Sequence, residues 1–149
     1  MKEDVSIRLL SKQIDGQDCE ETELLSMGTL EMTEKGYIIS YEETEATGFD
    51  GSTTSLEFSD GNKVVMNRRG KVVSDLVVEM GTKHHCAYGT PYGEFMVGVN
   101  ATKVSSTVDR NGGTLLFHYV IDVNSSYVGD FEVSVEVKPS NGSSSGIVS

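Results

Sequence analysis

Residues 128–138 read Val-Gly-Asp-Phe-Glu-Val-Ser-Val-Glu-Val-Lys, and this stretch decides the fold class. Apolar side chains occupy the odd positions from Phe131 to Val137, whereas polar or charged side chains occupy the even positions from Asp130 to Lys138. A period of two is the period of a β-strand, because successive side chains point to opposite faces of a sheet. The stretch therefore predicts a strand with one face in a core and the other in water.

The same alternation recurs along the rest of the chain. Residues 113–123 place Leu115, Phe117, Tyr119, Ile121 and Val123 on one face and have a mixed second face, so this strand is expected to be covered more fully. Residues 36–43 place Tyr37, Ile39 and Tyr41 together. Residues 17–33 also alternate, and because Gly28 would weaken a helix interior, we expect a strand there as well. The inward-facing set predicted by these patterns is Ile39, Tyr41, Leu76, Val78, Leu115, Phe117, Phe131, Val133 and Val135.

Turn signals separate these segments at short intervals. They are Asp15-Gly16, Lys35-Gly36, Asp50-Gly51, Asp60-Gly61, Arg69-Gly70, Tyr92-Gly93 and Gly112-Gly113. Glycine in such pairs supplies the positive φ that tight hairpins require. The punctuation predicts eight to ten antiparallel strands, and a sheet of that size closes into a barrel or folds into a sandwich to remove its edges.

Length and composition limit the protein to one globular domain. The chain has 149 residues, of which 37% are hydrophobic, which is enough to bury a core without metal or disulfide support. We assign residues 1–139 to the domain. Residues 140–149, Ser-Asn-Gly-Ser-Ser-Ser-Gly-Ile-Val-Ser, have the composition of a linker, so a disordered tail is expected there.

Charge and targeting signals exclude several classes of partner. A net charge of −11 disfavours nucleic acid and anionic lipid surfaces. No apolar run is long enough for a membrane helix, and the start Met-Lys-Glu-Asp has no apolar secretion signal. Two cysteines, Cys19 and Cys86, are too few for a disulfide framework and are expected to be reduced thiols. Together these features predict a cytoplasmic protein.

Three short stretches carry a resemblance to a known family. They are Tyr-Ile-Ile-Ser-Tyr-Glu-Glu at 37–43, Met-Asn-Arg-Arg-Gly at 66–70 and Tyr-Gly-Thr-Pro-Tyr-Gly at 88–93. In this order, and together with Gly28, they resemble the YwiB-like family of small uncharacterised bacterial proteins, over about residues 4–138. The resemblance implies an all-β, antiparallel, calycin-like barrel, related in shape to lipocalins, in the cytoplasm. It implies no established activity.

The cluster His84-His85-Cys86 is the most conspicuous candidate for chemistry. On a strand, His84 and Cys86 share a face, and zinc accepts both residue types. A zinc site needs at least three protein ligands, however, and the remaining candidates are His118, Cys19 or carboxylates. We expect neither a metal site nor a Cys86–His84 nucleophile here, and no cofactor.

The acidic residues Glu42, Glu43 and Glu45 lack the spacing of a calcium loop and are expected to form a solvated face.

Arg68 shares a strand face with Val64 and Met66, so it is expected to point toward the barrel interior. A buried guanidinium must be paired or must hold an anion. Two alternatives follow: a plug at the barrel end bonded to Glu43 or to backbone carbonyls, or a clamp for a ligand carboxylate. In the second case Tyr41, Tyr88 and Tyr119 would add hydroxyl contacts.

The sequence favours a non-enzymatic barrel that binds one small, partly apolar and anionic ligand. The alternative is a filled barrel that acts as a structural or interaction module and forms a homodimer or binds another protein. A large pocket with a few polar anchors would favour the first hypothesis, and a solid interior with an exposed apolar patch would favour the second.

Overall fold

Ten antiparallel β-strands follow one another along the chain and close into one barrel. The computed structural model describes residues 2–44, 51–71, 73–90 and 93–140. Each strand pairs with the next along the chain, and the last returns to pair with the first. The strands are β1 (Lys2–Asp15), β2 (Asp18–Met32), β3 (Gly36–Glu42), β4 (Thr53–Ser59), β5 (Lys63–Arg69), β6 (Ser74–Glu79), β7 (His84–Thr90), β8 (Gly93–Ser106), β9 (Gly113–Val123) and β10 (Ser126–Pro139).

The expected all-β, antiparallel barrel is confirmed, with ten strands at the upper limit of the expected number. The segment for which a helix had to be excluded forms the continuous strand β2. Within the described ranges, no helix has the length and apolar character needed to cross a membrane.

The barrel has two unequal walls. β8, β9, β10, β1 and β2 have 11 to 15 residues each and form what we call the long wall. β3 to β7 have six or seven residues each and form the short wall. Because the long strands extend beyond the short ones, one end of the barrel is overhung by the β1–β2 hairpin. We call this end the open end.

The interior is filled by the side chains that the alternation assigns to it. Eight members of the predicted inward set are buried, and Phe131 is half-buried against the core. Away from the open end, Tyr37 stacks on Phe58 with ring centroids 5.1 Å apart, and the Tyr37 hydroxyl forms a hydrogen bond with Ser106 Oγ at 2.5 Å. Burial raises the pKa of Tyr37 to about 12, an effect that the bond to Ser106 partly offsets. This end of the barrel is therefore closed by packed aromatic rings.

Gly28 is required where β2 and β3 come together. A Cβ at this position would lie 2.1 Å from the backbone oxygen of Ser40 and 2.7 Å from Cδ1 of Ile7. Glycine therefore permits a close approach of β3 that a larger residue would prevent.

The expected disordered tail lies mostly outside the described residues, which end at position 140. Ser140 itself is described, and its hydroxyl donates to the backbone oxygen of Asp4 at 3.1 Å.

Phe117 tests the register of the barrel, because it is buried in β9 with its ring beside that of Tyr119. Phe117→Ala is expected to lower the free energy of unfolding by about 3–5 kcal/mol. The matched control is Phe95→Ala, at a position that is 49% exposed, and it should cost less than about 1 kcal/mol. Denaturant unfolding of both variants measures the difference, and equal effects would contradict the register.

Candidate functional site

A cavity of about 220 Å³ lies inside the barrel and reaches solvent at the open end. The long wall contributes Leu9, Ser11, Gln13, Glu20, Thr22, Phe117, Tyr119, Phe131 and Val133, and the short wall contributes Tyr41, Glu43, Leu56, Met66, Arg68 and Tyr88. The four residues selected from the sequence as ligand contacts, Arg68, Tyr41, Tyr88 and Tyr119, therefore line the same cavity.

An ion pair is buried in the short wall of the cavity. Arg68 donates from Nε and Nη2 to Oε2 of Glu43, at 3.3 and 3.2 Å. Thr54 Oγ1 donates to the same carboxylate oxygen at 2.6 Å. The strand register explains the cluster, because Thr54 pairs with Arg68 on one side and with Tyr41 on the other, two residues before Glu43.

The two members of this pair are buried to different extents. The Glu43 side chain is 1% exposed and that of Arg68 is 10% exposed, and both residues belong to the cavity lining. The contact with Glu43 is the one that the plug alternative expects. It leaves the clamp alternative open as well, because Arg68 is also part of the cavity lining. Removing either partner alone would leave the other as an unpaired buried charge, which is strongly destabilising.

Three tyrosine hydroxyls face the cavity without a hydrogen-bond partner in the part of the chain that the structure describes. They belong to Tyr41, Tyr88 and Tyr119, and the rings of Tyr41 and Tyr119 are buried. A buried tyrosine hydroxyl usually has a partner, as Tyr37 has in Ser106. A water molecule or a ligand in the cavity would supply such partners.

Burial keeps the phenols of Tyr41 and Tyr119 neutral by raising the pKa of each. Burial raises the pKa of Tyr41 far above its usual range, and the Glu43 carboxylate raises it further against the opposing effect of Arg68. Burial and then the neighbouring Tyr88 raise the pKa of Tyr119 in the same direction. Both hydroxyls keep their protons at neutral pH, so they can act as hydrogen-bond donors.

A stack of aromatic rings forms the apolar side of the cavity. Tyr119 lies between Phe117 and Phe131, with ring centroids at 6.0 and 5.2 Å and interplanar angles of 16° and 10°. The stack belongs to the long wall of the cavity, whereas Tyr41, Tyr88 and Arg68 belong to the short wall.

His84 and Cys86 take part in other contacts. His84 Nε2 forms a hydrogen bond with Oε1 of Glu79 at 2.8 Å, and Cys86 Sγ accepts the backbone N–H of Val77 at 3.3 Å. Burial raises the pKa of the Cys86 thiol, the opposite of what activates a nucleophile. Across the described ranges, no three His, Cys, Asp or Glu side chains lie close enough together to hold a metal ion.

Glu42 and Glu43 point to opposite faces of the barrel wall, because successive side chains in extended backbone alternate. Glu42 is exposed, whereas Glu43 is buried, so the expectation of a solvated face is wrong for Glu43. Glu45 lies outside the described residues, as do Pro91 and Tyr92 in the stretch 88–93 that carries the family resemblance.

Sequence reasoning missed the polar residues that the β1–β2 hairpin brings to the cavity. Ser11 and Gln13 from β1 pair with Thr22 and Glu20 from β2, and all four line the cavity. A signal was present, because the inward face of β2 continues from Leu24 toward the turn as Thr22 and then Glu20. That change from apolar to polar marks the point where the strand leaves the packed core.

Comparisons with known proteins give one family and one related structure. A family model described as "Domain of unknown function (DUF1934)" matches residues 5–135. The crystal structure of the ywiB protein from Bacillus subtilis superposes with a TM-score of 0.80 at 17% sequence identity, covering 93% of this chain and 92% of that chain. A search of curated proteins finds no significant match. The chain therefore belongs to the DUF1934 family, and the expected resemblance to YwiB-like proteins is confirmed.

Proposed function

We propose that this protein is a non-enzymatic receptor that binds one small, partly apolar molecule with an acidic group in the barrel cavity. The observation that carries the proposal is the convergence on one cavity of Arg68 and three tyrosine hydroxyls that have no hydrogen-bond partner among the described residues. Neutral phenols and a guanidinium are all hydrogen-bond donors, and a carboxylate accepts from all of them.

The size of the cavity limits the ligand. A volume of about 220 Å³ lies below the range of roughly 300–1,000 Å³ that is usual for drug-sized ligands. A benzoate or a short-chain acid fits this space, whereas a nucleotide or an oligosaccharide does not.

The aromatic side chains in the cavity lining favour a ligand whose remaining part is aromatic or aliphatic. The stacked rings of Phe117, Tyr119 and Phe131 offer an apolar surface to a flat group. We place the protein in the cytoplasm, a proposal supported by its two free thiols, Cys19 and Cys86.

The role of Arg68 is tested with the double variant Arg68→Met/Glu43→Gln, because the single change Arg68→Met would leave the Glu43 carboxylate buried and unpaired. The double variant keeps an acceptor for Thr54 and removes both charges. We expect it to bind 4-methylbenzoate about 10- to 100-fold more weakly than the wild type, which is the worth of one charge-assisted hydrogen bond.

The matched control is Arg8→Met/Glu23→Gln, which removes an exposed pair of the same two residue types from the outer face of the barrel and should keep the affinity within about threefold. Isothermal titration calorimetry is the measurement, because the chain has no tryptophan for fluorescence. If neither 4-methylbenzoate nor a panel of small acids binds the wild type saturably, the proposed function is wrong.

The buried phenols predict a loss of stability in alkali. In the unfolded chain Tyr41 and Tyr119 ionise near the ordinary tyrosine pKa of about 10, whereas in the folded protein their raised pKa values keep them protonated. The folded state then binds more protons, so its stability is complete below about pH 9 and falls as the pH rises through 10. Each phenol contributes a slope of up to about 1.4 kcal/mol per pH unit.

Denaturant unfolding between pH 8 and 11 measures this slope. Tyr41→Phe/Tyr119→Phe should remove most of the tyrosine contribution to it. An unchanged slope in the double variant would show that these hydroxyls are not buried.

A second candidate function is self-association through the outer face of β10, β1 and β2. Leu25 and Met27 are 69% and 58% exposed there, beside a shallow groove that Arg8, Glu136 and Lys138 also line. Apolar side chains among charges of both signs suit a second copy of the same face, because each cation can meet an anion across a two-fold axis.

Leu25→Ser/Met27→Ser is expected to shift a dimer to the monomer in light scattering coupled to size-exclusion chromatography. The control is Met96→Ser, which changes an equally exposed apolar residue on β8 and should leave the mass unchanged. A wild-type monomer at all concentrations would exclude this candidate.

A further inference from the structure

We propose that the ligand is a zwitterion, with its acidic group at Arg68 inside the barrel and an ammonium group at Glu20 on the rim. This inference rests on the proposed function and adds the chemical class of the ligand to it. It combines the charge of the cavity lining with the position of Glu20 on the overhanging hairpin.

Glu20 differs from the neighbouring acidic residues of β2. Glu21 forms an ion pair with Lys12 at 3.4 Å, and Glu23 forms one with Arg8 at 2.6 Å, both on the outer face of the barrel. Glu20 points the other way, lines the cavity and has no cationic partner among the described residues. A carboxylate in that position is available to a cation that enters the cavity.

The inner face of the β1–β2 hairpin becomes more polar toward solvent. The pair Leu9 and Leu24 is buried, the pair Ser11 and Thr22 is half-buried, and Gln13 and Glu20 are exposed. Successive inward positions on a strand are separated by roughly 6.6 Å. A ligand whose apolar body lies on the aromatic stack therefore extends its outer end toward polar groups and a carboxylate.

The charges of the cavity lining favour a ligand with no net charge over an anion. The cavity is lined by one guanidinium and two carboxylates, those of Glu43 and Glu20, which gives a formal charge of −1. The whole chain carries −11, so its field opposes the entry of a net anion. A zwitterion brings an acidic group that accepts hydrogen bonds from the tyrosine hydroxyls and Arg68, and it carries no net charge for the protein to repel.

The experiment compares two ligands of almost equal size. 4-Methylbenzoate carries a carboxylate only, whereas 4-(aminomethyl)benzoate carries an ammonium group at the opposite end of the ring. We expect the wild type to bind the aminomethyl compound about two- to fivefold more tightly, the range of a solvent-exposed ion pair, and the preference to shrink in high salt.

The variants Glu20→Gln and Glu21→Gln complete the test by calorimetry. Glu20→Gln should abolish the preference, and Glu21→Gln, which removes the same charge from the outer face, should retain it. If the wild type binds both compounds equally, or if both variants change the preference alike, the inference is wrong while the proposed function stands. If the wild type binds neither compound, both proposals are wrong.

Discussion

Closure of ten strands into one barrel is the constraint on which the rest of the structure depends. The interior of a barrel widens with strand number, and about eight strands already give a space that side chains just fill. Ten strands leave more room, which large rings occupy at one end, where Tyr37 stacks on Phe58. At the other end the wall changes to polar residues, and the space remains as a cavity of about 220 Å³.

The buried pair of Arg68 and Glu43 follows from this geometry. The short wall ends at the level of the cavity, so Glu43, which directly follows β3, and Arg68 on β5 lie where the packed core meets the cavity. Glu43 is stabilised by Arg68 and Thr54, and Arg68 in turn presents its guanidinium to the cavity beside Tyr41 and Tyr119. The contact that the plug alternative expects therefore lies in the cavity lining, where the proposed acid would meet the guanidinium of Arg68.

Most of the fold was predictable because it depends on local patterns. Alternation predicted correctly which side chains of β9 and β10 face the core. Pairs such as Asp15-Gly16 and Asp60-Gly61 mark hairpins whose glycines have positive φ. The number of strands was less certain, because the β9–β10 turn uses Asn124 and Ser125 at φ 53° and 67° without a glycine. The polar rim was missed, because Glu20 reaches the cavity only through the unequal lengths of the two walls, a property of the whole barrel.

The central claim is that a small acid occupies the cavity and meets the three unpartnered phenols. The most direct measurement is a ¹³C NMR titration of protein labelled at Cζ of tyrosine, with 4-(aminomethyl)benzoate as the ligand. Resonances of Tyr41, Tyr88 and Tyr119 should shift saturably with a single Kd, while those of Tyr37 at the closed end and Tyr127 on the surface stay in place. Shifts that do not saturate, or that appear equally at Tyr37 and Tyr127, would contradict a binding site in this cavity.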